Sequence, residues 1–202
     1  ELSNFLLSKL PDIYLRQERM RSQPRQTERT YVSGEAHYLW GKPYRLQVVY
    51  EGTRASVVKR AGKLVMTVPD GYTLEQRERV MTEWYRAELR RVLKSATKRC
   101  EQVTGIEADE FRIKNMKTRW GTCNIPQRRI WLNLQLVKKP PECLDYVITH
   151  ELVHLVEANH THRFHELVEQ YCPAWREADK ALKEMPLDHI SEGEMPIAER
   201  NA

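Results

Sequence analysis

Residues 147–168 read VITHELVHLVEANHTHRFHELV and contain five of the chain's seven histidines. Apolar residues recur here at three- and four-residue spacing, which predicts a helix that begins near Pro141 and ends near Asn159. His150 and His154 are four residues apart, so their rings lie on one face of that helix, one turn from each other. Two neutral imidazoles in this arrangement can bind one metal ion without distortion of the backbone.

Glu151 follows the first of these histidines and completes a His-Glu-x-x-His motif. Its carboxylate projects to one side of the two rings, from where it can reach a water on the metal but not the metal. Zinc lowers the pKa of a bound water to about 7, and an adjacent carboxylate can accept the proton and pass it to a leaving amine. The flanking residues are apolar, and polar side chains among them are costly unless they have a function. The motif therefore predicts Zn²⁺ as the cofactor and Glu151 as the general base of a hydrolase.

A catalytic zinc site needs a third protein ligand, and candidates follow the helix directly. His160 lies six residues after His154, so the chain must leave the helix near Asn159 and turn back. Metzincins have the same HExxHxxxxxH spacing, with a glycine where this chain has Glu157. We therefore expect His160 to be the third ligand. The alternatives are His162, His165 and a carboxylate on the following helix, such as Glu166.

The composition limits the class of protein. The chain has 202 residues, 41% of them hydrophobic and 30% charged, and its mean hydropathy is −0.68. These values suit one compact domain with a real core. No run of about 18 apolar residues occurs, and the first residues lack the order of a signal peptide, so neither a membrane span nor secretion is expected. The four widely spaced cysteines predict reduced thiols in a cytoplasmic protein: Cys100, Cys123, Cys143 and Cys172.

The charge indicates only a mild attraction to polyanions. The net charge is +5 and the isoelectric point is about 9.0. The basic residues are scattered, which favours a solvated basic surface over a nucleic-acid groove. Residues 1–30 are polar and predict an arm that can be flexible. Residues 16–29 are the basic segment that would recruit the protein to DNA under the alternative of a DNA-associated factor. Residues 185–202 are expected to be a loose tail.

The remaining chain predicts an α+β fold in two parts. Residues 31–72 contain short β-branched runs separated by turns with glycine, which predicts an antiparallel β meander. Residues 73–184 form the expected catalytic core, a mixed sheet packed on the helix that carries the motif. The core begins with a predicted long helix from Thr73 to Gly105, with Gln76 in a capping box. Two strands are predicted over 110–124 and 128–137, joined by a turn at 126–128. A last helix is predicted over 162–182.

Several motifs together resemble a known family. They are MKTRWGTC at 116–123, WLNLQL at 131–136 and PPECLDYVITHELVHLVEANHTHRF at 140–164. In this order they resemble the YgjP-like metallopeptidase family, a group of zincin-like proteins related in pattern to SprT-like and WLM domains. GEAHYLWGKPYRLQVV at 34–49 is similar to that family's amino-terminal β portion. The resemblance covers roughly residues 31–182.

The resemblance implies a zincin-like fold and a zinc-dependent peptidase. It implies zinc held by His150, His154 and His160, with Glu151 as the general base. The chain departs from the family pattern at two places. Thr122 stands where serine is usual, and Phe164-His165 stands where the pattern has Phe-Trp.

A peptide or protein is therefore the expected substrate. Zincins commonly pair an extended peptide with an edge strand beside the metal, and the strand over 129–136 has the regularity for this role. Arg119, Asn133 and Arg163 are candidates for contact with the substrate. Two alternative functions stay open. One is a metal-dependent hydrolase of nucleotides or other phosphoanhydrides, which arginines would hold. The other is a DNA-associated protein-processing factor. The sequence indicates no oligomeric state.

Overall fold

A computed structural model of the protein describes residues 29–184. The strands are β1 (Ala36–Leu39), β2 (Lys42–Tyr50), β3 (Ser56–Arg60), β4 (Lys63–Val68), β5 (Glu110–Lys114), β6 (Gly121–Asn124) and β7 (Arg129–Asn133). The helices are α1 (Leu74–Thr104), α2 (Pro141–Val153), α3 (His162–Tyr171) and α4 (Trp175–Glu184), with a 3₁₀ helix at Leu134–Lys138. The predicted α+β class is confirmed.

Both predicted parts belong to one compact unit, Arg29–Leu182. The expected arm over 1–30 and the expected tail over 185–202 lie outside the described residues, apart from Arg29 and Thr30. Within the described range, every helix is too short or too polar to cross a membrane.

The amino-terminal sheet has the strand order β1-β2-β4-β3. It contains antiparallel hairpins, but β2 and β4 pair in parallel, with Leu46 opposite Leu64, so the prediction of a purely antiparallel meander is corrected. Burial explains this order. Alternate residues of β4 are fully buried, which suits a central strand, whereas β3 buries only Val57 and lies at the edge. β1 and β2 are joined by a turn at Trp40-Gly41, where both residues have positive φ.

Helix α1 confirms the predicted caps at both ends. The Thr73 hydroxyl accepts from the Gln76 amide at 3.3 Å, and the Gln76 side chain accepts from the Thr73 amide at 2.8 Å. Gly105 has a φ of 67° and donates to the Glu101 carbonyl at 2.8 Å. Only a residue that tolerates the left-handed conformation ends a helix in this way, and glycine does so without steric cost.

The second sheet has the order β5-β7-β6, with β7 parallel to β5 and antiparallel to β6. The predicted turn at 126–128 is confirmed, since β6 and β7 form a hairpin around it. The strand over 129–136, whose regularity made it a candidate to pair with a peptide, does not lie at an edge of the sheet. β7 pairs with β5 on one side and with β6 on the other, so β7 is central and β6 lies at an edge. Ile130 and Leu132 of β7 are fully buried. The strand also ends at Asn133, where the 3₁₀ helix begins.

The structure has three helices after residue 140, where the sequence predicted two. Helix α2 ends at Val153 and leaves Asn159 in the following loop. The helix predicted over 162–182 is two helices, α3 and α4, separated at Pro173. Proline lacks an amide hydrogen and disfavours helical backbone in the residue before it, and Cys172 accordingly has φ −138° and ψ 73°.

Candidate metal centre

Three imidazole rings meet at the end of α2. His150 and His154 come from the helix and its C-cap, and His160 comes from the loop that leads to α3. One nitrogen from each ring lies within 4.8 Å of the others, and Nε2 of His150 is 3.1 Å from Nε2 of His160. Ligands at about 2.0–2.1 Å from a tetrahedral ion are about 3.3 Å apart. The spacing therefore fits one metal ion with three nitrogen ligands.

The chain orients the ring of His154 through its second nitrogen. Nδ1 lies 3.3 Å from the backbone carbonyl of Glu157, so Nδ1 can donate its proton there and leave Nε2 for a metal. The metzincin glycine is not required here, because Glu157 is not among the residues with positive φ. The loop then ends at Thr161, whose hydroxyl accepts from the Phe164 amide at 3.3 Å and caps α3.

Phe164 is a member of the site that the sequence did not reveal. Its side chain is 1% exposed, and its ring centroid lies 4.9 Å from that of His150 and 4.6 Å from those of His154 and His160. It forms an apolar floor under all three imidazoles. The sequence signal for this role is an aromatic residue three positions after the N-cap of α3. That spacing alone does not predict which rings the aromatic side chain packs against.

Burial also sets the protonation of the histidines. It lowers the pKa of His150 to about 3, and the nearby rings of His154 and His160 add to the effect. Burial likewise lowers the pKa of His154. The rings of His150 and His154 are therefore neutral at physiological pH, which is the form that binds a metal ion.

Glu151 follows His150 on α2 and lies outside the group of three residues that can hold the ion. Its side chain is 6% exposed, and within residues 29–184 its carboxylate accepts no hydrogen bond. Burial raises its pKa to about 8, against a lowering effect of Arg119. The carboxylate packs on Gly121 of β6, where a Cβ atom would lie 2.6 Å from Oε1. The site thus combines three nitrogen donors with a buried carboxyl group whose pKa is raised.

Of the three residues predicted to contact substrate, two are exposed. Arg119 is exposed and close enough to Glu151 to affect its pKa, and Arg163 is exposed in the first turn of α3. Asn133 is 4% exposed instead. Its amide donates to the carbonyls of Met116 (2.8 Å) and Arg119 (2.7 Å), and its Oδ1 accepts from the amides of Met116 (3.2 Å) and Gln135 (3.1 Å). Asn133 therefore holds the loop before β6 in place.

His162 and His165 lie outside the group of three histidines that could hold a metal ion. His162 is 3.3 Å from Glu166 at an exposed position on α3. The ring of His165 is 6.3 Å from that of His160 and 6.4 Å from that of Trp175. Both histidines line an open cleft of about 550 Å³. Its other wall residues are Glu166, Glu169, Gln170, Trp175 and Arg176.

Comparisons with known proteins give a family match. The model of the YgjP-like metallopeptidase domain matches residues 1–185. The metallopeptidase zymogen abylysin of Pyrococcus abyssi is 19% identical with a TM-score of 0.42, covering 48% of this chain and 98% of abylysin. The zymogen jannalysin of Methanocaldococcus jannaschii is 24% identical with a TM-score of 0.39, covering 44% of this chain and 91% of jannalysin. No curated protein matches.

Proposed function

Because the chain belongs to the YgjP-like metallopeptidase family, we propose that it hydrolyses peptide bonds with a zinc ion held by His150, His154 and His160. The observation that carries this proposal is the meeting of these three rings beside a buried carboxylate that is not itself one of the ligands. Three protein ligands leave a tetrahedral ion one open position, as catalytic zinc sites require. Imidazole donors also suit zinc better than they suit magnesium or calcium.

Glu151 is the proposed proton carrier. When bound, zinc supplies a Lewis acid that polarises a carbonyl group and makes water more acidic. Glu151 accepts the proton of the attacking water and delivers it to the leaving amine. Its burial and its lack of a hydrogen-bond partner within the described residues favour this role, because no competing donor holds the carboxylate.

The edge strand β6 is the proposed place for an extended peptide. It pairs with β7 on one side, it is an edge of its sheet, and it begins at Gly121 directly beside Glu151. Backbone hydrogen bonds along such an edge can hold a peptide in extended form. We therefore assign the peptide-binding role to the edge strand β6 and not to the central strand β7. Arg119 and Arg163 remain proposed contacts for anionic groups of the substrate.

The four cysteines support a cytoplasmic location. All are free thiols. Burial raises the pKa of Cys100 to about 12 and the pKa values of Cys123 and Cys143 to about 11. Protonated thiols without disulfides are what a reducing compartment maintains.

Glu151→Gln tests the mechanism, since glutamine keeps the size of the side chain and loses the base. We expect zinc content to stay near one ion per chain and hydrolysis of unfolded casein to fall by about 100-fold or more. Glu157→Gln is the matched control, because only the backbone carbonyl of Glu157 contacts the site. Full activity in a Glu151→Gln preparation free of contaminating protease would exclude this mechanism. Nucleoside triphosphates, assayed beside casein, separate peptidase activity from phosphoanhydride hydrolysis.

A further inference from the structure

The outer face of α1 carries an uninterrupted block of positive charge. Between Glu88 and Glu101 the helix contains five cations and no acidic residue. Two of the cations have carboxylate partners: Arg91 pairs with Glu88 at 2.9 Å, and Arg99 pairs with Asp145 at 2.8 Å. The other three are Arg90, Lys94 and Lys98, which we call the basic stripe.

The basic stripe has a regular geometry. Its members are four residues apart, so they follow one side of the helix at intervals of about 6 Å. All three are exposed, and within the described part of the chain none has an ion-pair partner. Like charges at this spacing destabilise a helix unless an anion lies between them. A chain of evenly spaced negative charges would match this row.

A cleft with aromatic walls adjoins the stripe. It has a volume of about 380 Å³ and lies between β3 and α1, with Trp40 and Trp84 among its walls. Its remaining wall residues are Leu39, Val57, Val58, Lys59, Glu88 and Arg91. Arg91 lines the cleft and lies three residues before Lys94, a spacing that makes the two side chains neighbours on the helix surface, so the cleft adjoins the stripe. The single acid, Glu88, is neutralised by Arg91.

We propose that this face of α1 binds a single-stranded nucleic acid. Phosphates lie along the basic stripe, and a base enters the cleft and stacks on an indole ring of Trp40 or Trp84. Single-strand binding proteins combine these two features, a cationic track for the backbone and aromatic faces for the bases. A duplex keeps its bases stacked and cannot insert one into the cleft. An acidic peptide carries negative charges but lacks an aromatic base beside each charge, so it would leave the indole rings without a stacking partner. The proposed site shares no residue with the metal centre and does not depend on the peptidase activity.

Fluorescence anisotropy with labelled oligo(dT) and oligo(U) tests the stripe in the full chain. Substitution of Arg90, Lys94 and Lys98 by glutamine should weaken binding by about tenfold or more at low salt. It should also make the plot of log K against log salt shallower by about 2, because each phosphate contact on a single strand contributes about 0.7. The matched control replaces Lys42, Arg54 and Lys114 by glutamine. It removes the same charge outside α1 and the cleft and should leave the affinity almost unchanged.

Trp84→Leu tests the cleft, because leucine keeps the apolar packing and removes the stacking surface. We expect oligonucleotide affinity to fall about tenfold and affinity for inorganic polyphosphate to stay the same. Circular dichroism establishes that each variant is folded. Equal losses in the two triple variants, an unchanged affinity in Trp84→Leu, or polyglutamate bound as tightly as either oligonucleotide would overturn the proposal. Losses specific to the stripe and to Trp84 support it, and the tighter of the two oligonucleotides identifies DNA or RNA as the ligand.

Discussion

Gly121 of β6 lies so close to Glu151 of α2 that a Cβ atom at position 121 would be 2.6 Å from Oε1 and 2.7 Å from Cγ of the glutamate. Gly121 is not among the glycines with positive φ, so the backbone conformation does not demand glycine here. The requirement is for space. The edge strand and the HExxH helix therefore define the position of the carboxylate together.

Gly121→Ala should displace the Glu151 carboxylate and leave the metal ligands in place. We expect casein hydrolysis to fall by about 100-fold, because a shift of about 1 Å at a reacting group has an effect of this size. Zinc content, measured by mass spectrometry, should be unchanged. Thr122→Ala, on the same strand, is the control and should retain most of the activity. An active Gly121→Ala enzyme would show that the carboxylate works from another position.

The third ligand can be identified by metal binding alone. His160→Ala should weaken zinc binding by more than about 100-fold, which exceeds the usual effect of residues that only orient a ligand. His165→Ala should bind zinc as the wild type does, because its ring lies outside the group of three. Competition with a fluorescent chelator measures both affinities. Zinc lost in His165→Ala and retained in His160→Ala would reverse the assignment.

His37 makes the fold sensitive to acid. The side chain is 2% exposed, and burial lowers its pKa from 6.5 to about 4, helped by the positive charge of Arg29. The unfolded chain therefore binds more protons than the folded chain between these values. Stability is fully present above pH 6.5 and is lost as the pH falls towards 4, by up to about 3 kcal/mol.

Urea denaturation of His37→Gln and wild type at several pH values checks this expectation. Glutamine can still donate to Glu35, which is 3.2 Å from Nε2 of His37, but it does not titrate. The difference in unfolding free energy between the two proteins should change across the window from pH 6.5 to 4, while other titrating groups cancel. A constant difference would mean that His37 is protonated at its ordinary pKa in the folded protein.

Asn133→Asp should loosen the loop before β6. The amide of Asn133 donates to two carbonyl groups, and a carboxylate would place oxygen against oxygen at both. We expect a loss of roughly 2–3 kcal/mol in unfolding free energy, together with lower activity, since Gly121 follows this loop. Asn115→Asp is the control. Its Oδ1 only accepts, from Gln135 at 2.9 Å, so its stability should change by less than about 0.5 kcal/mol.

Local structure followed from the sequence wherever the deciding interactions are close along the chain. The caps of α1 depend on contacts three or four residues apart, and the spacing of His150 and His154 follows from one helical turn. The α+β class and the β6–β7 hairpin were predictable for the same reason, whereas the family was predictable from the order of its motifs. The end of α2 was misplaced because Asn159 and Val153 are both compatible with a helix end, and the packing of the following loop chooses between them.

Helical spacing was enough to predict a helix that presents two imidazoles and a carboxylate, with further histidines after it. Long-range packing was needed to make β7 central, to place the edge strand β6 beside Glu151, and to bring Phe164 beneath the three rings. It also decided the parallel pairing of β2 with β4. Helical periodicity and capping are set by neighbours in sequence, whereas strand order and the close approach of Gly121 to Glu151 depend on which distant surfaces bury each other.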